Sequence, residues 1–305
     1  MGWQTFGWLL FLALLWGPSF LFIKVAVHDI TPLTLAAARV SLASLALYGV
    51  LRWQGRHLPP MGRIWRHFAV MGLFSNAIPF TLFSWGEQYV DSALAAILNG
   101  TTPLFTILLA HLLIDDDRLT MPKAFGVLLG FSGLIALLAP TLFGGIQAST
   151  WGLIAMTVAS ASYGIAIVYG RKHLRGLKPL VGPAAQLTMA SIYLVPLALL
   201  IEQPYTLSMP SFASLGALLV LALVGTALAF IIYYRVMEMT SATNLSMITY
   251  MVPIVGTILG VVVLHERPGL NAYIGCGFII LGVMMVNGIF RITTWRRLTT
   301  AIVGS

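Results

Sequence analysis

Two stretches of this chain resemble each other closely, and this internal repeat restricts the folds that are open to it. The stretch from Asp91 to Leu138 consists of an apolar segment with a central proline, a short charged loop and a second apolar segment that carries glycines. The same pattern starts again at Ser241, so that Pro103 corresponds to Pro253, 150 residues later. A self-match of this length indicates that the protein is built from two copies of one unit.

Apolar runs of about 20 residues recur throughout the chain, and each is long enough to cross the hydrocarbon core of a bilayer. Charged residues make up only 9% of the 305 residues, whereas an average soluble domain contains about 25%. The chain therefore cannot cover itself with a hydrated surface. We predict an all-α membrane protein with ten transmembrane helices, at residues 6–27, 32–51, 65–85, 92–112, 121–139, 151–170, 180–201, 211–232, 242–263 and 270–290.

The net charge of +8 indicates a membrane orientation and not a nucleic-acid partner. Fourteen of the 17 Lys and Arg residues fall on the side of the two termini, while Lys24 and Arg267 fall on the other side and Arg39 lies within the second span. Basic residues accumulate in cytoplasmic loops. We therefore predict that both termini are cytoplasmic, in a multi-pass protein of a bacterial-type inner membrane.

The five spans of the first copy correspond to the five spans of the second copy, and this odd number determines how the two copies are oriented in the membrane. Trp16-Gly17 corresponds to Tyr163-Gly164, and Asn76 corresponds to Thr226. Because five is odd, the second copy must cross the membrane in the opposite direction, and inverted repeats of this kind are typical of secondary transporters. We predict a first repeat at 1–140, a second, inverted repeat at 151–291 and a short basic cytoplasmic tail at 292–305.

These features together resemble a known family, the EamA-type transporters of the drug/metabolite transporter superfamily. The resemblance covers nearly the whole chain and is carried by Trp16-Gly17, by Arg39, by the helices of Pro103 and Pro253, and by the glycine series Gly126 to Gly133 and Gly275 to Gly282. It implies a central cavity between the halves, lined by spans 1, 3, 4, 6, 8 and 9. The overall pattern is also similar to the amino-acid exporters of that family.

Uncharged polar and aromatic residues near the centres of the spans are the candidate substrate ligands. Aromatic faces bind apolar or cationic groups, and amides and hydroxyls offer hydrogen bonds without a net charge, which together suit a neutral or zwitterionic metabolite. The alternatives are a helix kink beside a packed Trp and hydrogen bonds between helices, worth about 0.6 kcal/mol each. The predicted substrate-binding residues are Trp16, Gly17, Asn76, Pro79, Asn99, Tyr163, Thr226 and Tyr250.

For the ionisable residues, structural or solvated roles are favoured over substrate binding. Arg39 lies deep in a span, where a charge is costly, but the second span is expected outside the cavity wall. A structural bond to backbone carbonyls, or extension of the side chain toward one face, is therefore favoured over binding of a substrate carboxylate. The carboxylates all fall at helix ends or in loops, and Glu87, Asp91 and Glu266 are expected to be solvated caps. We therefore expect transport without a proton gradient.

The predicted function is export of small polar metabolites, most of all amino acids, by a monomeric secondary transporter in the lipid bilayer. A facilitator or exchanger of nucleotide sugars or triose phosphates is the alternative within transport. An intramembrane enzyme is disfavoured, because Ser132 in a Gly-x-Ser-Gly run lies far from every His in the sequence, and a nucleophile needs a base within hydrogen-bond reach. No metal and no cofactor are expected.

Overall fold

The protein is a bundle of apolar α-helices. The computed structural model describes residues 3–114, 119–143, 147–174, 176–240 and 245–288. Eight helices in these ranges are long and apolar enough to cross a membrane, and two shorter apolar helices follow. The helices are α1 (Trp3–Ala26), α2 (Pro32–Trp53), α3 (Ile64–Gly86), α4 (Ser92–Leu113), α5 (Met121–Phe143), α6 (Ala148–His173), α7 (Val181–Glu202), α8 (Phe212–Met239), α9 (Ile248–Val263) and α10 (Leu270–Val286).

The prediction of a ten-helix membrane protein is confirmed. The predicted basic tail at 292–305 lies outside the described residues, as does the start of the ninth predicted span at 242–244. Prolines account for interruptions that length alone did not predict. Helix α1 is broken at Gly17-Pro18 and α4 at Gly100-Thr101, two residues before Pro103, because proline has no backbone N–H to continue the helical ladder.

The two halves pack on each other with an internal two-fold relationship. Helices α5, α2 and α4 pair with their own counterparts α10, α7 and α9. The remaining contacts come in matched pairs: α3 packs on α6 as α8 packs on α1, and α4 packs on α6 as α9 packs on α1. Such exchange of equivalent contacts is the signature of a self-complementary, two-fold interface.

The glycine series of α5 and α10 form the closest of these contacts. A Cβ on Gly126 would lie 2.6 Å from the carbonyl oxygen of Gly282, and one on Gly133 would lie 2.6 Å from that of Gly275. Gly126 and Gly275 are equivalent in the repeat, as are Gly133 and Gly282, so the two contacts are copies of each other. Small residues here let two membrane helices approach backbone to backbone.

Candidate functional site

Two helices of the bundle widen at equivalent positions. Helix α3 contains a π-helical turn at Leu73–Ala77, and α8 contains one at Val220–Leu228. In α3 the N–H of Ile78 bonds to the carbonyl of Leu73, five residues earlier. Turns of this kind are frequent at functional sites. The matched polar residues Asn76 and Thr226 lie within these two turns, so both halves present a polar side chain where the backbone is irregular.

Thr226 holds the one buried arginine of the part of the chain that the structure describes. Its hydroxyl donates to the carbonyl of Leu221 at 2.8 Å and accepts a 3.0 Å hydrogen bond from Nε of Arg39. The guanidinium carbon of Arg39 lies 4.0 Å from the ring centroid of Phe80, a cation–π distance. The sequence favours a structural bond of Arg39 to backbone carbonyls or its extension toward one face, whereas the bond observed here is to the side chain of a predicted site residue.

Asn76 is fully buried, with 0% of its surface exposed. Neither its Nδ2 nor its Oδ1 has a hydrogen-bond partner among the residues that the structure describes. Buried polar groups are normally bonded, and an orphaned one needs an explanation. The neighbouring backbone is satisfied, since the hydroxyl of Ser162 in α6 donates to the carbonyl of Phe74 at 2.7 Å. Pro79, also buried, follows this turn directly.

The two aromatic residues that match across the repeat have matching environments. The ring of Trp16 lies 5.5 Å from that of Tyr233 in α8, and the ring of Tyr163 lies 6.3 Å from that of Phe83 in α3. Phe83 and Tyr233 are themselves equivalent, 150 residues apart. The structure thus does not bring Trp16 and Tyr163 into direct contact with each other. Each instead packs against an aromatic residue of the opposite half, and these two partners are equivalent in the repeat.

Gly17 makes a helix contact. A Cβ there would lie 2.5 Å from Cγ1 of Val255 in α9, and a Cβ on the equivalent Gly164 would lie 3.0 Å from Cβ of Phe105 in α4. Val255 and Phe105 are again equivalent. Both glycines therefore permit close packing of a neighbouring helix beside the aromatic residue that precedes them.

The other two predicted site residues, Asn99 and Tyr250, lie on α4 and α9. Asn99 ends the first part of α4, and its carbonyl, which Pro103 cannot bond, accepts a 2.8 Å hydrogen bond from the hydroxyl of Thr102. Tyr250 points to α10, where its hydroxyl donates to the carbonyl of Val283 at 3.2 Å. Its surroundings are those of an interhelical bond.

Carboxylates join the two halves at the face opposite to the one where α1 begins, here called the opposite face. Glu202 of α7 accepts hydrogen bonds from the N–H groups of Leu33 and Thr34 at the start of α2. Glu266, between α9 and α10, accepts from the N–H groups of Ser92 and Ala93 at the start of α4. Carboxylates stabilise helix N-termini. The opposite face is thus held by caps that cross between the halves.

A third cap runs in the reverse direction, from the first half to the second. Asp29, after α1, accepts from the N–H of Ser211 at 3.1 Å and from the hydroxyl of Ser214 at 2.8 Å, at the start of α8. Hydrogen bonds from Ser211, His28 and Ser214 hold the pKa of Asp29 below its ordinary value. The sequence predicts a solvated cap for Glu266 and places Asp29 and Glu202 only at helix ends or in loops, and it does not predict their partners in the other half.

The N-terminal face, where α1 begins, has an open groove of about 540 Å³. It lies between the end of α2, the start of α7 and the end of α8, and it is lined by Gln54, Arg56, Pro179, Leu180, Ile231, Tyr234, Arg235 and Glu238. None of the eight predicted site residues lines this groove. The polar residues Arg39, Asn76 and Thr226 are buried deeper, between the groove and the capped opposite face.

A comparison with protein families decides the class of this protein. The EamA-like transporter family matches residues 4–139 and, separately, residues 150–288. The chain belongs to the EamA-like transporter family. The resemblance found in the sequence is thereby confirmed, and the protein is a membrane transporter.

The names of the following relatives state no substrate. This EamA-like chain is 25% identical over 276 residues to the uncharacterized transporter YoaV of Bacillus subtilis, covering 89% of this chain and 92% of that protein. It is 27% identical over 282 residues to the uncharacterized inner membrane transporter YedA of Escherichia coli, covering 92% and 90%. The protein PecM of Dickeya dadantii is 24% identical over 276 residues, covering 90% and 89%.

A solved crystal structure shows the same fold as this EamA-like protein. The two chains superpose with a TM-score of 0.67 at 18% identity, covering 95% of this chain and 99% of the other. At this identity the likeness concerns the fold alone.

Sequence reasoning missed two residues of this EamA-like transporter. Arg39 and Glu87 are the only charged side chains that are buried within the described ranges. The sequence places Arg39 outside the predicted cavity wall because it lies in the second span, and it predicts a solvated cap at Glu87 because this residue follows a helix. The helical period could have indicated for Arg39 that it shares a face with the buried residues Ala36, Val40 and Ala43. No sequence signal separates Glu87 from a surface cap.

Proposed function

We propose that this EamA-like transporter exports small zwitterionic metabolites, chiefly amino acids, across a bacterial inner membrane by alternating access. The observation that carries the proposal is the bond of Arg39 to Thr226 at the π-turn of α8. A buried guanidinium with a neutral partner retains its positive charge for a ligand, and carboxylate is the group that its planar donors fit best. Asn76 would add an amide to the same polar region.

The ligand is proposed to be a zwitterion, and not a phosphate ester, on grounds of charge. A phosphate carries up to two negative charges and is recognised by clusters of Arg or Lys. Arg39 is the single buried cation in the described part of the chain. The ammonium group and side chain of an amino acid would instead meet aromatic faces such as those of Trp16 and Tyr163, which attract cations.

Alternating access would proceed by exchange between the capped opposite face and the grooved N-terminal face. Inverted-repeat transporters rock their repeats around a fixed site near the midplane. The bonds of Asp29, Glu202 and Glu266 would break when the opposite face opens, and related contacts would form at the N-terminal face. The equivalence of the aromatic pairs Trp16–Tyr233 and Tyr163–Phe83 supports two states of similar packing.

Transport by reconstituted vesicles tests this function. Vesicles that contain the purified protein are loaded with a panel of labelled L-amino acids, and efflux is followed. Trp16→Ala and Tyr163→Ala should reduce efflux or change the preferred amino acid at unchanged protein level. The matched control is Trp151→Ala, since Trp151 is 54% exposed at the start of α6. Equal activity of all three variants, or no efflux of any amino acid by the wild type, would refute the proposal.

The proposed orientation, with both termini cytoplasmic, has its own test. In a Cys276→Ser background, a single cysteine at Gln203 should react with an impermeant thiol reagent added to intact cells, and one at Gln54 should react only after lysis. These positions follow α7 and α2 at opposite faces. Labelling of Gln54→Cys in intact cells would reverse the orientation.

A further inference from the structure

Glu87 is buried at the end of α3 without the partners that a carboxylate needs. It follows Gly86, the last residue of the helix, at the opposite face, and 0% of its surface is exposed. Neither carboxyl oxygen has a hydrogen-bond partner in residues 3–114, 119–143, 147–174, 176–240 or 245–288. Bulk water does not reach a side chain with none of its surface exposed. The side chain is therefore placed where its neutral, protonated form is favoured.

The nearest cation does not neutralise this carboxyl group by a direct bond. The ammonium group of Lys24 in α1 donates to the backbone carbonyls of Glu87 and Val90, at 2.7 Å and 2.8 Å. Its donors thus cap the end of α3, and the carboxyl oxygens of Glu87 remain unbonded. An ionised Glu87 would require either this lysine to leave the carbonyls or water to enter.

Charged groups on the surrounding elements act on Glu87 in both directions. Burial is the largest effect and raises the pKa of Glu87 well above its ordinary value, and the charge of Glu266 raises it further. Lys24 of α1 and Arg39 of α2 oppose these effects. The pKa of Asp91, at the start of α4, is raised by burial and by the charge of Glu266, and Lys24 opposes this rise.

The other elements packed on this end of α3 bring no further charge. The facing part of α6, residues 148–160, contains no ionisable side chain. Tyr163, farther along α6, stacks on Phe83, one turn before Glu87. The neutral form of Glu87 is therefore favoured by its whole surroundings except for Lys24 and Arg39.

The closure of the opposite face covers Glu87. Glu266 binds the N–H groups of Ser92 and Ala93 at the start of α4, a few residues beyond Glu87 in the chain. A Cβ on Gly86 would lie 2.9 Å from the carbonyl oxygen of Gly152 in α6, which shows how tightly this end of α3 is packed. Separation of the halves at this face would break the cap of Glu266 and admit water to Glu87. Its exposure to water is thus tied to the conformational state.

We propose that Glu87 is a proton-exchange site that ties opening of the opposite face to the pH on that side. With the face closed, as in this structure, Glu87 is a neutral acid with its O–H bond intact. When the face opens, water reaches the carboxyl group, the O–H bond breaks and the proton passes to that water. On closing, the carboxylate takes a proton from water on the same side and the O–H bond forms again. No electrons are transferred and no proton crosses the membrane, so a low pH at this face favours the closed state.

The effect of Glu87 on transport rests on the proposed function, but the protonation of Glu87 does not. Infrared spectroscopy of the purified protein, without substrate, detects the carbonyl stretch of a protonated carboxylic acid. At neutral pH we expect this band in the wild type and in the exposed control Glu238→Gln, and its loss in Glu87→Gln. Protein labelled with carbon-13 at the glutamate carboxyl groups should show the band shifted, which assigns it to glutamate even if Glu87→Gln does not fold. Absence of the band from the wild type, as for a Glu87 ionised beside Lys24, would overturn the proposal.

The pH dependence of opening is the second arm. In vesicles with labelled L-amino acids on both sides, exchange of label for label by the wild type should slow as the pH is lowered, because protonation of Glu87 favours the closed face. Glu87→Gln, which imitates the neutral acid, should exchange more slowly than the wild type at high pH and should lack this slowing, whereas the exposed control Glu238→Gln should behave like the wild type. The same slowing in Glu87→Gln would overturn the role of Glu87 in opening. Failure of the wild type to move any amino acid would instead remove the proposed substrate, while the infrared result still decides protonation.

Discussion

Nε of Arg39 in α2 donates a 3.0 Å hydrogen bond to the hydroxyl of Thr226 in α8, and that hydroxyl in turn donates to the carbonyl of Leu221. The bond links the only buried arginine of the described residues to a π-turn whose counterpart in α3 carries the unpartnered Asn76. Thr226 thus has a partner of its own whether or not Arg39 is present. The role of Arg39 can therefore be separated from the stability of the fold.

Replacement of Arg39 by Met should leave the protein folded but unable to bind substrate. Met fills a similar length beside Phe80, and Thr226 retains its bond to Leu221. Substitution of a buried charge by an apolar side chain of similar volume is often neutral for stability, so we expect a change in the free energy of unfolding within about 1 kcal/mol. Binding of L-amino acids by calorimetry should be lost.

The control for this variant is Thr226→Val, which removes the acceptor but keeps the charge of Arg39. It should weaken binding less than Arg39→Met does, because the guanidinium remains. If Arg39→Met binds amino acids normally and only melts at a lower temperature, Arg39 is structural and the substrate lies elsewhere.

Two glycines of α10 should respond oppositely to the same substitution. A Cβ on Gly275 would lie 2.7 Å from the carbonyl oxygen of Gly133, whereas one on Gly277 would meet nothing within 4 Å. Overpacking against a rigid backbone costs about 1–3 kcal/mol, so Gly275→Ala should lower the melting temperature. Gly277→Ala should be neutral or stabilising, because alanine is the better helix former. Equal melting temperatures would mean that α5 and α10 do not pack so closely.

The sequence was sufficient for the parts of the fold that depend on length and period. Ten apolar runs, the equivalence of Pro103 and Pro253, and the glycine series of α5 and α10 follow from hydropathy and spacing, which act locally. The self-match even anticipated that Trp16 and Tyr163 would have related surroundings, although it could not show that Tyr233 and Phe83 provide them.

The parts that the sequence did not predict depend on partners distant in the chain or on small backbone shifts. A π-turn displaces the following side chains around the helix, so the direction of Asn76 and Thr226 could not be read from a period of 3.6. Glu202, Glu266 and Asp29 look like ordinary loop residues until the opposite half supplies a helix N-terminus. Glu87 differs from them only in what covers it.

A disulfide across the opposite face should stop transport. The N–H of Ser211 lies 3.1 Å from Oδ2 of Asp29, so these two residues are neighbours from different halves. In a Cys276→Ser background, Asp29→Cys with Ser211→Cys should cross-link on oxidation and abolish efflux, and a reductant should restore it. Each single cysteine under the same oxidant is the control. Undiminished efflux by the fully cross-linked protein would show that this face does not need to open.

The burial of Glu87 predicts how stability depends on pH. Its pKa is raised in the folded protein above the ordinary value of 4.5, so the folded state retains a proton that the unfolded chain releases. The contribution to stability is complete below 4.5 and decreases as the pH rises toward the raised pKa. The decrease can reach about 1.4 kcal/mol per pH unit for a single group.

Glu87→Gln does not titrate at this position, so comparison with it isolates the contribution of Glu87 from those of Asp91 and Asp29, which are common to both proteins. Thermal unfolding of the two purified proteins between pH 4 and 8, a span of roughly four units, should show the wild type losing stability relative to Glu87→Gln as the pH rises. The opposite trend, with the wild type gaining relative stability at higher pH, would mean that folding favours an ionised Glu87. In that case Lys24 would have left the backbone carbonyls of α3 to pair with the carboxylate, and the proton-exchange role would fall with the neutral state on which it depends.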